Sequence, residues 1–378
     1  GTSSGTQTTS GISDGDGTYY WRVLGAYRSA DHTTQISRGN ATTGSFVLDT
    51  TDPVVAVTSP NGGESWTGTK SVTWSTTDAN VSTRVVYIST NGGSSYSVLS
   101  SSTTDSGSYS WNTTGTVDST TVRIKVTVTD KAGNTAKDIS NANFTLDHTA
   151  PAVTNVTSST ANDYYKAGEA ISIQVVFGEK VNVTGTPQLT LQNGSSNAVV
   201  NYASGTGTDT LTFTYTISSG DTSSDLDYVA TDSLKLNGGT ILDKALNPAK
   251  LTLAAPGATY SLGANKAIVV DTTAPVVAVT SPNTLVYWRD SKSVTWTTTD
   301  TNAYSRIIYV STNGGSSYTS IAGAALDSGS YTWDTTGTSD SSTVRIKVYV
   351  IDKAGNTAND VSNANFTLDH TAPAVTNV

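Results

Sequence analysis

Apolar and polar residues alternate with a period of two along much of this chain. In Val122–Val128, valine or isoleucine fills every second position, and arginine, lysine and threonine lie between them. Leu211–Ile217 alternates apolar side chains with threonine in the same way. A period of two is typical of a β-strand with one buried face, and the helical period of about 3.6 residues is absent almost everywhere. The pattern predicts an all-β protein.

The segment from residue 53 to residue 148 contains seven predicted strands. They are Val54–Thr58, Lys70–Ser75, Thr83–Thr90, Tyr96–Leu99, Ser108–Trp111, Val122–Val128 and Asn143–Asp147. The Asn-Gly-Gly of Asn91–Gly93 and the Asp-Lys-Ala-Gly-Asn of Asp130–Asn134 supply the residues that tight turns between strands require. Seven short strands in about a hundred residues predict a Greek-key β-sandwich.

The flanking segments are also predicted to be β. Between residues 150 and 271 the predicted strands are Ala170–Phe177, Gln188–Gln192, Ala198–Tyr202, Thr210–Ile217 and Ala267–Asp271. We expect one helical turn within Asp221–Leu236 and a hairpin at the Leu-Asn-Gly-Gly-Thr-Ile that begins at Leu236. Residues 1–49 hold only Thr18–Leu24 and Ser45–Leu48, too few strands for a sandwich. They are either the end of a truncated domain or borrow strands from elsewhere.

The chain repeats itself at an offset of 222 residues. VVAVTSP begins at Val54 and at Val276, and TVRIKV begins at Thr121 and at Thr343. This period exceeds the roughly 20–50 residues of a solenoid unit, and Pro-containing linkers separate the parts. The predicted order is a partial domain (1–49), domain A1 (53–148), domain B (150–271), domain A2 (275–370) and the first strand of a further domain B (371–378).

The segment NANFTLDHTAPAVTNV begins at Asn141 and again at Asn363. Its last five residues in the second copy, Ala374–Val378, match the start of domain B. The sequence predicts a window from a longer array. The alternative is that Ala374–Val378 pairs with a neighbouring chain by strand addition.

The composition favours an extracellular, cell-surface protein. Charged residues make up 13% of the chain, against about 25% in an average soluble protein, and cysteine and methionine are absent. A net charge of −9 with scattered Lys and Arg excludes nucleic acid as a partner. The sequence contains no apolar run of about 18 residues, so we expect no membrane contact within this segment.

Motifs in three parts of the chain resemble known surface-protein domains. SPNGGESW, SVTW, VVYISTNGGSSYSVL and STTVRIKV, within Ser59–Val126, resemble bacterial Ig-like domains related to yeast cell-wall glucan-assembly proteins. VNVTGTPQLTL at Val181–Leu191 and LNGGTILD at Leu236–Asp243 are similar to the repeat named after a cyanobacterial swimming-motility surface protein, and TYYWRV at Thr18–Val23 is similar to the F strand of a fibronectin type III domain. These resemblances imply tandem Ig-like Greek-key β-sandwiches in an extended array. A2 departs from the motif, because it reads SPNTLVYW from Ser281.

Residues that catalyse reactions are scarce. The sequence has three histidines, of which His148 and His370 are one position seen twice, so no Ser-His-Asp set is indicated. Two pairs of neighbouring acids, Asp14 with Asp16 and Asp225 with Asp227, are expected to form turns rather than a catalytic carboxylate pair. The chain is predicted not to be an enzyme.

Calcium is the one cofactor that the sequence suggests, because oxygen ligands gather readily where tandem β-domains meet. The candidate ligands are four linker acids and two acids of the Asp-Lys-Ala-Gly-Asn turns: Asp49, Asp147, Asp271, Asp369, Asp130 and Asp352. The alternative is that each linker aspartate only closes an Asx-turn before the Thr and Pro that follow. No full EF-hand spacing is present.

Two functions are compatible with these features. The first is a non-enzymatic spacer in a large secreted or cell-surface repeat protein, such as an adhesin stalk, an extracellular fibre or a surface layer. Its partners would be neighbouring copies or other domains of the same protein, with a glycan or cell-surface ligand as a further possibility. The second is a carbohydrate-binding accessory module of a polysaccharide-degrading enzyme. It requires a planar row of exposed aromatic side chains, with Trp66, Tyr96, Tyr164 and Tyr165 as candidates.

Overall fold

The structure is a computed structural model of the 378-residue chain. It describes residues 15–23, 26–27, 37–38, 41–104, 106–194, 196–324, 326 and 328–376. The chain divides into two compact units, Gly1–Thr149 with Lys244–Asn247, and Ala150–Asp243 with Pro248–Val378. No helix in the described residues is long and apolar enough to cross a membrane.

In the described part of the first unit, β1 (Gly17–Val23) pairs with β4 (Thr42–Leu48) as a two-stranded antiparallel ribbon. The short strands β2 (Ala26–Tyr27) and β3 (Ser37–Arg38) pair with each other. Tyr19 lies opposite Phe46 in the register, and the two rings stack with centroids 5.5 Å apart.

Domain A1 follows in the same unit as two packed sheets. Its strands are β5 (Val54–Ser59), β6 (Ser65–Trp66), β7 (Thr69–Thr77), β8 (Val81–Ser89), β9 (Ser97–Ser102), β10 (Ser108–Asn112), β11 (Ser119–Asp130), β12 (Thr135–Ile139) and β13 (Phe144–Leu146). One sheet has the order β10-β7-β5. The other has the order β6-β13-β11-β8-β9, with β12 paired to β11.

The period-two pattern sets the core of A1. In β11, Val122, Ile124, Val126 and Val128 are all fully buried, and the polar residues between them face outward. Burying each such side chain stabilises the fold by about 1.5–3 kcal/mol. Three tryptophans complete the core: Trp66, Trp74 and Trp111.

Domain B opens the second unit. Its elements are β14 (Val153–Ser158), β15 (Asp163–Tyr165), β16 (Ala170–Thr184), β17 (Gln188–Asn193), β18 (Ser196–Ser204), β19 (Thr208–Thr216), β20 (Thr222–Ser223), β21 (Asp227–Tyr228), β22 (Leu234–Lys235), β23 (Thr240–Leu242), α1 (Leu262–Asn265) and β24 (Ile268–Asp271). The main sheet has the order β14-β16-β19-β18-β17-β21, and a smaller sheet has the order β15-β24-β20. The side chains of Ile171, Ile173, Leu211 and Phe213 are fully buried between them.

Two expectations for domain B are wrong. The helical turn expected in Asp221–Leu236 is absent, because that segment supplies β20, β21 and β22, of which β21 and β22 pair with β17. The helical turn lies at α1 instead, where the Ser261 hydroxyl accepts from the Ala264 N–H. The segment that begins at Leu236 is not a hairpin either, since β22 and β23 pair with different strands.

Domain A2 completes the second unit and repeats the topology of A1. Its strands are β25 (Val276–Ser281), β26 (Tyr287–Trp288), β27 (Ser291–Thr299), β28 (Ala303–Ser311), β29 (Thr319–Ala324), β30 (Ser330–Asp334), β31 (Ser341–Asp352), β32 (Thr357–Val361) and β33 (Phe366–Leu368). The sheets have the orders β25-β27-β30 and β26-β33-β31-β28-β29, with β32 paired to β31. The predicted all-β class of tandem Ig-like β-sandwiches is confirmed.

The buried face of β11 gives a stability prediction. Ile124→Ala removes a fully buried side chain and should lower the free energy of unfolding of A1 by about 2–5 kcal/mol. Urea unfolding followed by tryptophan fluorescence measures this change. Ile346→Ala, the equivalent change in A2, should act equally on the A2 transition. Val98, which is 61% exposed, serves as the control, and Val98→Ala should change stability by less than about 0.5 kcal/mol. An unchanged transition in both Ile→Ala variants would contradict the assigned core.

Candidate functional site

Each A domain holds the aspartate of the linker that precedes it. In the second unit, the Asn356 side-chain amide donates to the main-chain carbonyl of Asp271 (2.8 Å), and the Asn302 amide donates to the Asp271 carboxylate (2.7 Å). In the first unit, Asn134 and Asn80 make the same two bonds to Asp49, at 3.0 and 3.3 Å. We call each asparagine pair with its linker aspartate a linker socket.

Buried or half-buried acids orient the socket asparagines. Asp352, which is 2% exposed, accepts from both the backbone N–H and the side-chain amide of Asn356, at 2.8 and 2.9 Å. Asp300 accepts from the backbone N–H of Asn302 at 2.5 Å. The bond from its side chain to Asp352 fixes the direction of the Asn356 amide, whereas the bond to Asp300 holds the backbone of Asn302. Both side-chain amides donate to Asp271.

Three carboxylates converge at the socket of the second unit. Asp271, Asp300 and Asp352 each offer an oxygen, and these oxygens all lie within 4.8 Å of one another. Burial raises the pKa of Asp300, and the nearby carboxylates of Asp271 and Asp352 raise it further. A cavity of about 420 Å³ adjoins this group and is lined by Asp271, Asp300, Asn302 and Tyr164, among others. Clustered carboxylate oxygens at this spacing fit a calcium ion, whose oxygen ligands lie 2.3–2.6 Å from the metal.

The six aspartates predicted as calcium ligands differ in their surroundings. Asp271 and Asp352 come together, and Asp49 and Asp130 hold the equivalent places in A1. Sequence reasoning missed Asp300, which directly follows β27 and ends the polar run TTTD. Its equivalent in A1 is Asp78. The repeat offset and the Asn that follows two residues later are the signals that would have drawn attention to both.

The Asx-turn alternative also describes what is seen at the linkers. One carboxylate oxygen of every linker aspartate accepts the N–H of the threonine two residues later, at 3.0–3.3 Å: Asp49, Asp147, Asp271 and Asp369. At Asp271 this bond uses Oδ1, whereas Asn302 donates to Oδ2. An Asx-turn and a place in the acid cluster are thus compatible in one residue.

The linker after each A domain is held by its histidine. In A1, the two ring nitrogens of His148 lie 2.5 Å from the Asp118 carboxylate and 2.9 Å from the Thr113 hydroxyl, so both face acceptors. Asp118 also accepts the His148 backbone N–H and the Thr149 hydroxyl. In A2, His370 makes the equivalent contacts to Asp340 and Thr335.

The aromatic candidates for sugar stacking do not form an exposed row within A1. Trp66 is buried at 8% exposure and packs against Trp111 and Phe144. The ammonium group of Lys125 covers the ring of Tyr96, 4.3 Å from its centroid. In domain B, the Tyr165 hydroxyl donates to the carbonyl of Ala161, and Lys353 lies 5.0 Å from the Tyr164 centroid.

The neighbouring acids serve local structure. Asp227 accepts the N–H groups of Tyr228 and Gly257, each at 2.9 Å. Burial raises the pKa of Asp225, and the charge of Asp227 adds to this. Asp16 accepts the Thr50 N–H at 2.7 Å, and Asp14 lies outside the described residues. These bonds account for Asp16 and Asp227 as turn and linker contacts.

Comparisons with known proteins do not assign the chain to a family. No family model and no curated protein matches it. Among solved structures, it is similar to a tetra-tandem repeat from the extending region of a large adhesion protein, with 19% identity, a TM-score of 0.32, and coverage of 95% of this chain and 84% of that chain. A structure of a 1.5-MDa bacterial ice-binding adhesin shows 16% identity, a TM-score of 0.39, and coverage of 84% and 99%. SGBP-B of the Bacteroides ovatus mixed-linkage glucan utilization locus shows 13% identity, a TM-score of 0.19, and coverage of 85% and 71%. With all three scores below 0.5, the functional proposals rest on the geometry of this chain.

The histidine contacts predict a dependence of stability on pH. Burial acts to raise the pKa of Asp118, but hydrogen bonds from His148 and Thr149 outweigh it and lower that pKa below its usual value. Hydrogen bonds from His370 lower the pKa of Asp340. Because the folded-state pKa is the lower one, each carboxylate stabilises the fold above its unfolded pKa of about 4. That contribution is lost as the pH falls through the folded-state pKa.

Asp118→Asn and Asp340→Asn should therefore lower the melting temperature at pH 7 and flatten its fall below about pH 4. Thermal unfolding by circular dichroism between pH 7 and pH 2 measures both effects. Asp209→Asn, at an exposed position of domain B, is the control. It should leave the fall of the melting temperature at acid pH unchanged. If the melting temperature falls equally at acid pH in the parent chain and in all three variants, the His–Asp pairs are not the cause of that fall.

Proposed function

We propose that this chain is a non-enzymatic structural segment of a large secreted or cell-surface repeat protein. Its tandem β-sandwiches act as spacers in an adhesin stalk, an extracellular fibre or a surface layer. The observation that carries the proposal is the linker socket, which recurs with the same atoms at Asp49 and Asp271. Holding both the main chain and the side chain of a linker limits bending at the junction, and limited bending is what a spacer requires.

Further contacts within the second unit support a stiff junction between B and A2. The Lys166 ammonium group donates to the carbonyl of Gly355 at 3.2 Å. The Lys353 ammonium group donates to the Tyr164 hydroxyl, also at 3.2 Å. Both lysines therefore join domain B to the turn between β31 and β32 of A2. Two further tethers restrict rotation about the linker that the socket already holds.

Within this proposal, the A domains are bacterial Ig-like domains related to yeast cell-wall glucan-assembly proteins. Domain B is the repeat named after a cyanobacterial swimming-motility surface protein, and residues 1–49 contain the end of a fibronectin type III domain. The partners are neighbouring copies or other domains of the same large protein. The sugar-binding alternative loses Trp66, because that ring is buried.

Calcium at the socket of the second unit is part of the proposal. Three carboxylate oxygens within 4.8 Å of one another repel, and the raised pKa of Asp300 is one sign of that repulsion. A divalent cation would remove it and join the linker residue Asp271 to Asp300 and Asp352 of A2. The ion would then stiffen the junction that the asparagines already hold.

The stiffness of the B–A2 junction can be measured with spin labels, because the chain contains no cysteine of its own. Labels at introduced cysteines replacing Ala203 in B and Ser320 in A2, both exposed, should give a narrow distance distribution by double electron–electron resonance. Asn356→Ala removes the bond to the Asp271 carbonyl and should broaden it. Asn359→Ala, on the exposed side of β32, should not. A distribution that is already broad in the parent chain would overturn the spacer function.

Calcium binding has its own test. Calcium at about a hundred times its Kd should add about 2.7 kcal/mol to the free energy of unfolding, measured as a rise in melting temperature relative to the chain in EGTA. Asp300→Asn removes one charged ligand and should weaken binding at least about tenfold, a loss of about 1.4 kcal/mol. Asp334→Asn, at an exposed acid of A2, should bind like the parent chain. An identical melting temperature in calcium and in EGTA would exclude calcium binding, and it would not bear on the spacer function.

A further inference from the structure

The main sheet of domain B has a cleft between two neighbouring strands. β18 and β19 pair only at Tyr202 with Phe213 and at Ser204 with Thr212. Beyond these pairs, β18 continues along β17 and β19 continues along β16. A cavity of about 450 Å³ lies between them, which is within the roughly 300–1,000 Å³ typical of small-molecule sites. We call this cavity the β18–β19 cleft.

Uncharged polar side chains surround the cleft. Its exposed lining includes Asn197 and Asn201 from β18 and Thr214 and Thr216 from β19. Each of these amides and hydroxyls can both donate and accept hydrogen bonds. Asp221 is the one charged residue in the part of the lining that the structure describes. With no Lys, Arg or His in that lining, the cleft does not suit an anion such as phosphate.

Main-chain groups on both walls add donors and acceptors. In an antiparallel strand, successive residues direct their N–H and C=O groups to opposite sides. The Tyr202 N–H donates to the Pro187 carbonyl on the β17 side, so the groups of Val199 point the other way, towards the cleft. On β19, the Ile217 N–H and C=O both bond to the segment that leads into β16, so the groups of Thr216 also point towards the cleft.

One buried residue of the lining carries an acceptor without a donor. Asn193 is 3% exposed, and its side-chain amide donates to the Tyr215 hydroxyl at 3.3 Å. That hydroxyl donates in turn to Asp221 at 2.6 Å. Burial raises the pKa of Tyr215, so the phenol keeps its proton and the direction of both bonds is fixed. The Asn193 Oδ1 is left buried without a partner among the described residues, which is costly unless a ligand supplies a donor.

These groups match the hydroxyls of a neutral saccharide. A hydroxyl donates one hydrogen bond and accepts others, so it can serve a wall N–H, a wall C=O and the Asn193 Oδ1 alike. A metal ion would use only the oxygen atoms, and a sulfate would use only the N–H groups. The ring of Tyr215 is 2% exposed, so the sugar would be held by hydrogen bonds rather than by stacking on an aromatic face.

We propose that the β18–β19 cleft binds a neutral hexose unit of a glycan. One sugar hydroxyl donates to the Asn193 Oδ1, and others exchange hydrogen bonds with the main chain of Val199 and Thr216. The site lies within domain B and uses none of the linker-socket residues. It therefore gives a ligand-binding role to a domain that otherwise acts as a spacer, and its failure would leave the spacer function untouched.

The test titrates the ¹⁵N-labelled full chain with the methyl glycosides of glucose, galactose and mannose, and with glycerol as a control polyol. At the ligand efficiency usual for small molecules, a hexose should bind with a Kd of about 1–10 mM. At least one glycoside should cause saturable shifts at the backbone amides of Val199 and Thr216 and at the side-chain amide of Asn193. Glycerol should not cause them.

A conservative substitution at an exposed position tests the contacts without disturbing the core. Thr216→Val removes the hydroxyl of a residue that lines the cleft and keeps the β-branched shape. It should weaken binding about threefold to tenfold, the effect of losing one hydrogen bond. Thr212→Val lies on the same strand, where β19 is paired with β18, and should bind like the parent chain.

A second substitution removes the unpartnered acceptor. Asn193→Leu should weaken binding at least about tenfold, whereas Asn182→Leu, at an exposed position of β16, should bind like the parent chain. Three outcomes would overturn the proposal. They are no saturable shift with any of the three glycosides at about 50 mM, equal shifts with glycerol, and unchanged binding in both the Asn193→Leu and Thr216→Val variants. Saturable shifts of the same amides with calcium chloride alone would assign the cleft to a metal ion and would overturn it as well.

Discussion

A hydrogen bond from the Asn356 side chain to the main-chain carbonyl of Asp271 joins domain A2 to the linker that precedes it. The folded β-sandwich of A2 places Asn356 where it can make this bond. The alternation along β31 buries four apolar side chains and ends at Asp352, which is itself buried. Asp352 accepts two bonds from Asn356 and so aims the amide at the linker. Hydrophobic burial in the domain thereby fixes the linker that precedes it.

Holding the linker in this position also brings three negatively charged carboxylates together. Once Asp271 is held by the asparagines, its carboxylate lies among those of Asp300 and Asp352, and all three are removed from most of the solvent. Hydrogen bonds from Asn302 and Asn356 offset part of the cost, since each donates to one of these acids. They do not remove the like charges, which still act on Asp300. The residues that hold the linker thus also bring three carboxylates close together.

Local patterns revealed the long strands but not the short ones. The local pattern predicted the middle of β11, the first half of β16 and most of β19, because each of these stretches has one buried face. It missed β6 and β12, of which β6 has only two residues, and it placed a helical turn in a segment whose short strands are held by pairing with β17. Such strands depend on a partner distant in sequence, which no local period records.

Only part of the candidate site could be predicted from the sequence, because the other part depends on contacts between residues far apart in the chain. The linker aspartates and their Asx-turns follow from Asp, Thr and Pro in a row, which is local chemistry. The convergence with Asp300 depends on β27 and β31 belonging to different sheets of one sandwich. The A1 and A2 loops before Trp66 and Trp288 differ, and that difference leaves the sheet orders of the two domains the same. Glu64 accepts two backbone N–H bonds in A1, whereas Val286 packs on the A2 core.

Acidic side chains cover one free strand edge in each A domain. β5 and β25 lie at the edges of their sheets, and there a carboxylate replaces the missing strand: Asp138 accepts the N–H of Val57, and Asp360 accepts that of Val279. Such substitution blunts an edge against pairing with other chains.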